Sequence, residues 1–275
     1  MRRHAAAPHS PSTFTPSARC GADGCFLSFE EAAMKKHWIL VSALLAASGA
    51  SQAHQIWLEQ PAGETAVIRF GEFGDNLRET SPGLLDKFGK PVATLVSAQG
   101  EKAADGRKTG TGFALPFKAG QGESIVAEDA GYPLYTSKKG EQELRNWYHP
   151  AARLITGFAA QAPRLTLDVV PSGKAGEFKV IYKGQPLPKA KVVLTVQSGW
   201  SKEAHADEQG LVQFDMPWKG TYVAEATHDE RSGGERTGPN GAEKYDGVHY
   251  VTSVTYVKPD GVAAIPAGPA AKPNK

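Results

Sequence analysis

Apolar and polar positions alternate with a period of two along most of the chain beyond residue 60. Glu64–Phe70 (ETAVIRF), Pro91–Ser97 and Gly112–Phe117 are short β-branched or alternating runs bounded by Gly and Pro, and Ser124–Ala127 adds another. Lys139–Trp147 alone reads as a helical turn or two, and no apolar stripe sustains it. From Pro163 the alternation sharpens: Arg164–Val170, Glu177–Tyr182, Lys191–Gln197, Leu211–Asp215, Thr221–Thr227 and Val248–Val257 each read as strands. Strands at intervals of roughly 8–12 residues with turn residues between them predict an antiparallel sandwich.

The connection Lys183–Ala190 (KGQPLPKA) combines a glycine able to adopt positive φ with two prolines that stiffen the path onward, and Asp207–Gly210 (DEQG) makes a second turn. The layout formed by Gly184, Pro186, Leu187, Ala190, Val192, Asp207, Gly210, Phe214, Gly220 and Tyr222 resembles the transthyretin-like or carboxypeptidase-regulatory class of immunoglobulin-like sandwich. The fold class expected is therefore all-β, with two β-sandwich-like units over residues 54–162 and 163–257, the second immunoglobulin- or transthyretin-like. Residues 258–275 hold Ala, Pro and Gly with few large apolar groups, too little to offset the entropy of ordering, and are expected to be a disordered tail.

One apolar stretch departs from this pattern. Met34–His54 (MKKHWILVSALLAASGASQAH) places two lysines before an apolar run and ends it in Ser51-Gln52-Ala53, the three regions of a secretory signal peptide. The apolar run is too short to span a bilayer, which takes about 20 residues. Residues 34–53 are thus expected to be removed, leaving His54 at the start of an exported, periplasmic protein that is not integral to the membrane. Residues 1–33 sit badly before such a signal and read as a misassigned start or an unstructured extension.

Composition narrows the chemistry. Both cysteines, Cys20 and Cys25, precede His54, which excludes disulfides and thiol nucleophiles after processing. Acidic and basic residues balance at 26 each from His54 onward, and no basic run suggests a nucleic-acid surface. No nucleophile elbow, P-loop or dinucleotide fingerprint is present, so the protein is expected not to be an enzyme.

What remains is histidine. His54, His149, His205, His228 and His249 follow the expected cleavage point, and imidazole is the commonest transition-metal ligand. A processed His54 offers an α-amine and an imidazole to one ion. His228 and His249 flank a long polar segment, and loops of more than roughly 12–15 residues in compact domains tend to be functional or disordered. The expected site is His54, His228 and His249 with His149 as a fourth ligand; Asp229, Glu230 and Asp246 would fix imidazole tautomers from behind. The aromatic run Tyr132–Tyr135 is the most platform-like stretch for a carbohydrate, although aromatics in β-proteins mostly pack in cores.

The start His54, Ile56–Glu59 (IWLE), the β-rich first half and the second half GQPLPKAKV … DEQGLVQFDMPWKGTYVAEATH together resemble the periplasmic nickel/cobalt-uptake-associated family, over about His54–Val257. That resemblance implies binding of a divalent transition metal, nickel, cobalt or copper, and its delivery to an inner-membrane metal importer. The motif around Ala53, His54, Trp57 and Leu58 supports a role for His54. Two other readings compete: a non-catalytic sandwich module that binds glycan or protein, and a copper enzyme with an N-terminal histidine brace.

Overall fold

The computed structural model describes residues 54–238 and 241–274, so the expected signal peptide and the extension before it lie outside the described residues. Among the described residues strands dominate, and the one short helical element is the 3-10 turn Leu84–Lys87. Strand Glu177–Tyr182 coincides with its alternating run, and Lys191–Val196, Leu211–Gln213 and Gly247–Lys258 fall within two residues of theirs. The expected helical turns at Lys139–Trp147 do not form. Residues Tyr135–Lys139 and Gln142–Ile155 make a hairpin there instead, because a polar stretch without an apolar stripe gains more from ladder hydrogen bonds than from an unburied helix. Beyond His228, Gly234–Gly238 pairs with Gly241–Tyr245, so much of the expected irregular loop is a second hairpin.

The backbone of the molecule is a nine-stranded sheet that both halves share. Its order is Ser201–His205, Lys191–Val196, Gly220–Glu230, Gly247–Lys258, Gln142–Ile155, Ser124–Glu128, Val92–Ser97 and Gly100–Asp105, with Tyr135–Lys139 on the long strand Gln142–Ile155. The join between halves is the parallel pairing of Gln142–Ile155 with Gly247–Lys258, in which Tyr148 faces His249 and His149 faces Tyr250. Neighbouring side chains on a strand point to opposite faces. Tyr148, Ala152, Leu154 and Val251 accordingly enter one core, while Ile155, Val248, Tyr250 and Val254 enter the other.

Each core is closed by a smaller sheet. Gln55–Glu59, Val67–Glu72, Gly112–Ala114 and Arg107–Thr109 cover the first through Ile56, Leu58, Ile68, Phe70 and Phe113. Leu167–Pro171, Glu177–Tyr182 and Leu211–Gln213 cover the second through Leu167, Val169, Phe178, Val180 and Val212. The arrangement is sandwich-like on both faces of one common sheet.

The described part of the tail runs along this body rather than leaving it. Trp218 bridges Val262, Asn76 donates to the Gly268 carbonyl at 2.9 Å, and Asn274 reaches the Glu79 carboxylate. The polar backbone of this apolar-poor segment finds partners on the surface, a route that composition alone does not reveal. No helix among the described residues is long and apolar enough to cross a membrane.

Candidate functional site

His54 is held at the start of the first strand, Gln55–Glu59, whose partner Val67–Glu72 turns back at once through Phe73–Asn76 into Leu77–Arg78. Gly71 makes that tight hairpin possible: its φ is 141° and a Cβ there would lie 2.4 Å from the Leu77 carbonyl oxygen. Gln55 pairs with Gly71, so His54, one step earlier, falls beside Glu72. Glu79 follows the return strand, and its amide donates to the Phe70 carbonyl at 2.8 Å. The hairpin thus delivers two carboxylates to one imidazole.

The two carboxylates meet opposite edges of the ring. His54 Nε2 lies 2.6 Å from Glu79 Oε1, and His54 Nδ1 lies 3.5 Å from Glu72 Oε1. Glu79 is fully buried and also accepts from the Asn274 amide and side chain at 3.0 and 2.7 Å. In a neutral imidazole, a buried carboxylate on Nε2 favours the proton there and leaves the lone pair on Nδ1. Glu72 Oε1 is buried with no hydrogen-bond partner. Burial raises the Glu72 carboxyl above its ordinary value, the neighbouring Asp75 and Glu79 push the same way, and His54 opposes them. A buried carboxylate oxygen without a hydrogen bond, facing a ring lone pair, is a costly arrangement unless a cation or a proton sits between them.

Of the four expected histidine ligands, the sheet brings only two to one place. His54 and His249 line a single cavity of about 510 Å³. His149 and His228 are turned to the other face, because His149 faces Tyr250 across the parallel ladder and His228 faces Tyr250 across the antiparallel one. His228 packs on Tyr182 with ring centroids 4.2 Å apart, and His149 lies between Trp147 and Tyr250. Strand ends do meet as expected, but a one-residue offset in register sends His228 and His249 to opposite sides. Among the described residues no group of three or more His, Cys, Asp or Glu side chains is arranged to hold one metal ion. Glu72 and Glu79 do not converge, since the His54 ring stands between them.

The expected supporting carboxylates also divide. Asp229 partners His249 Nδ1 at 2.6 Å, as a residue that fixes a tautomer would. Glu230 instead accepts from Tyr182 and Lys183, and Asp246 accepts from the Arg145 amide, so both hold other parts of the fold. Sequence reasoning passed over Glu72, Glu79 and Asn274. Glu72 and Glu79 look like ordinary strand-end charges, and the one available signal was their position on either side of the turn FGDN.

Residues 163–230 match a family described as a domain of unknown function (DUF4198). That segment includes His228 and excludes His54, Glu72, Glu79 and His249. No curated protein matches the chain, and no solved structure does.

Proposed function

We propose that the chain is an exported protein that binds a divalent transition metal ion (nickel, cobalt or copper) at His54, with the ion as cargo rather than as a catalytic centre. The supporting observation is the pair of opposed edges on His54: Nε2 fixed by buried Glu79, and Nδ1 set 3.5 Å from a buried Glu72 oxygen that makes no hydrogen bond. That separation matches the edge of a tetrahedron whose metal–ligand bonds are about 2.1 Å. Cleavage after Ala53 would add the α-amine as a third donor from the same residue. The ion would then take Nδ1, the amine and Glu72, with Glu79 orienting the ring from behind. Three donors from two residues leave coordination positions open, which suits an ion that must be passed on. The resemblance to a nickel/cobalt-uptake family supports an inner-membrane importer as the receiver.

Isothermal titration of protein beginning at His54 with nickel, cobalt, copper and zinc tests this reading. Glu72→Gln and His54→Ala should abolish or sharply weaken binding, while His149→Ala and His228→Ala should leave it unchanged. Loss of binding in the His149 or His228 variants, with the His54 variant unaffected, would place the ion elsewhere. A second reading, a non-catalytic binding module for an organic ligand, is favoured by the position of Tyr132–Tyr135, which lines the cavity beside His54.

A further inference from the structure

The cleft lined by His54 and His249 has the size and surface of a site for a small organic molecule. At about 510 Å³ it falls within the usual small-molecule range of roughly 300–1,000 Å³. From His54 a continuous belt of rings runs through Phe70, Tyr132 and Tyr148 to His249, with successive centroids 5.0, 6.2, 4.9 and 6.2 Å apart. Tyr132 meets Tyr148 edge to face, at an interplanar angle of 82°. A planar ring in the cleft extends this packing, because offset and edge-on contacts suit the charge distribution of aromatic faces and rims. The Tyr148 hydroxyl already donates to the His54 carbonyl at 2.7 Å, so this residue offers its ring rather than a free donor. Leu84 and Leu134 continue the apolar wall.

The lining holds basic groups and no carboxylate. His54 and His249 each meet a carboxylate from outside the lining, Glu79 on one ring and Asp229 on the other, both at 2.6 Å. Lys87 is the exception. It ends the 3-10 turn, borders the cleft, and forms no ion pair among the described residues. A neutral sugar or a cation leaves that ammonium group without a countercharge. A flat apolar ring that carries an anionic head engages both the aromatic wall and the lysine.

We infer that the cleft binds a small aromatic carboxylate, with its ring against Phe70, Tyr132 and Tyr148 and a carboxylate oxygen accepting from Lys87. This gives a ligand class to the organic-ligand reading above and rests on that reading, not on the metal reading. Glu72 lines a separate cavity with Gln55, Asp75 and Glu225. The aromatic carboxylate and an ion held by Glu72 therefore occupy different spaces, and neither needs the other.

Calorimetric titrations of protein beginning at His54 with 2-naphthoate, 2-naphthamide, octanoate and methyl glucoside, with and without EDTA, test the inference. The naphthoate should bind about fivefold tighter than its amide, the contribution of one exposed ion pair. Octanoate and the glucoside should bind more weakly than the naphthoate. Lys87→Gln, at an exposed position, should bring acid and amide to the same affinity without changing that of the amide. Leu134→Trp, which fills the cleft from a half-buried position, should abolish binding of both naphthyl probes. Glu72→Gln should change neither, whatever it does to nickel binding. No binding of any probe overturns the organic-ligand reading together with the inference. Tightest binding of octanoate or the glucoside, equal affinity for acid and amide in the wild type, or an acid preference that survives Lys87→Gln overturns the inference alone. Naphthoate binding that disappears with EDTA overturns it too, because an ion rather than Lys87 would then hold the carboxylate.

Discussion

The strand Gln142–Ile155 is tied to the start of the second half by one buried ion pair, and breaking it should be among the most damaging single changes in the protein. Arg153 is 1% exposed and Asp168 is 0% exposed. The guanidinium donates to both carboxylate oxygens, Nε to Oδ1 at 3.0 Å and Nη2 to Oδ2 at 2.5 Å. Gln161 Oε1 accepts from Arg153 Nη1 at 2.8 Å, and the Arg164 and Leu165 amides donate to Asp168 Oδ2. Asp168→Asn keeps the shape but leaves the guanidinium without its countercharge in the interior, at a cost of about 3–5 kcal/mol. Arg153→Met combined with Asp168→Asn removes both charges and should recover part of that loss, since no unpaired charge remains. Urea unfolding of the wild type, both single variants and the double variant, compared at similar m, measures the coupling. A loss below about 1 kcal/mol for Asp168→Asn, or a double variant no more stable than the worse single one, would refute the argument that desolvated charge dominates here.

Glu225 supplies a pH-dependent counterpart. Burial, with the charge of Glu72 adding to it, pushes its carboxyl from 4.5 up to about 7. The folded protein therefore holds a proton that the unfolded chain releases, and stability falls as pH rises between those values. The ceiling is ~3.4 kcal/mol at about 1.36 kcal/mol per unit. Glu225→Gln should leave stability unchanged near pH 4.5 and raise it by up to about 3 kcal/mol at pH 8.5, read from urea midpoints at the two pH values; an equal effect at both would contradict the assignment. Glu79→Gln should weaken metal binding by about 10–100-fold by titration calorimetry, because the His54 ring loses the acceptor that fixes its tautomer. Metal affinity should also fall as pH drops into the range where the raised Glu72 carboxyl takes up a proton, and a pH-independent affinity would exclude Glu72 from the site.

Much of the strand content was legible because alternation reports half-buried strands directly, as at Glu177–Tyr182 and Lys191–Val196. The strand Gln142–Ile155 was not, because it begins with the polar run QELRN and carries Pro150 in its middle. Its parallel partner lies about a hundred residues away, a pairing for which local pattern holds no information. That single ladder decides the candidate site. With Tyr148 against His249, the imidazoles at 149 and 228 go to one face and that at 249 goes to the other, whereas counting histidines treats all of them as equivalent. His54 was singled out in the sequence by the small-residue run before it. Its carboxylates were not, since Glu72 and Glu79 become special only when the Gly71 hairpin folds them against one ring and buries Glu79.

The most direct test of the central claim compares two forms of the protein that differ by one residue, one beginning at His54 and one beginning at Ala53. Both keep the imidazole, Glu72, Glu79 and the cleft, but only the first has a free α-amine on His54. Nickel and copper titrations should show affinity weaker by about tenfold or more in the Ala53 form, together with loss of the proton released from the amine on binding. Equal affinity and equal proton release from the two forms would show that no ion is chelated by an N-terminal His54.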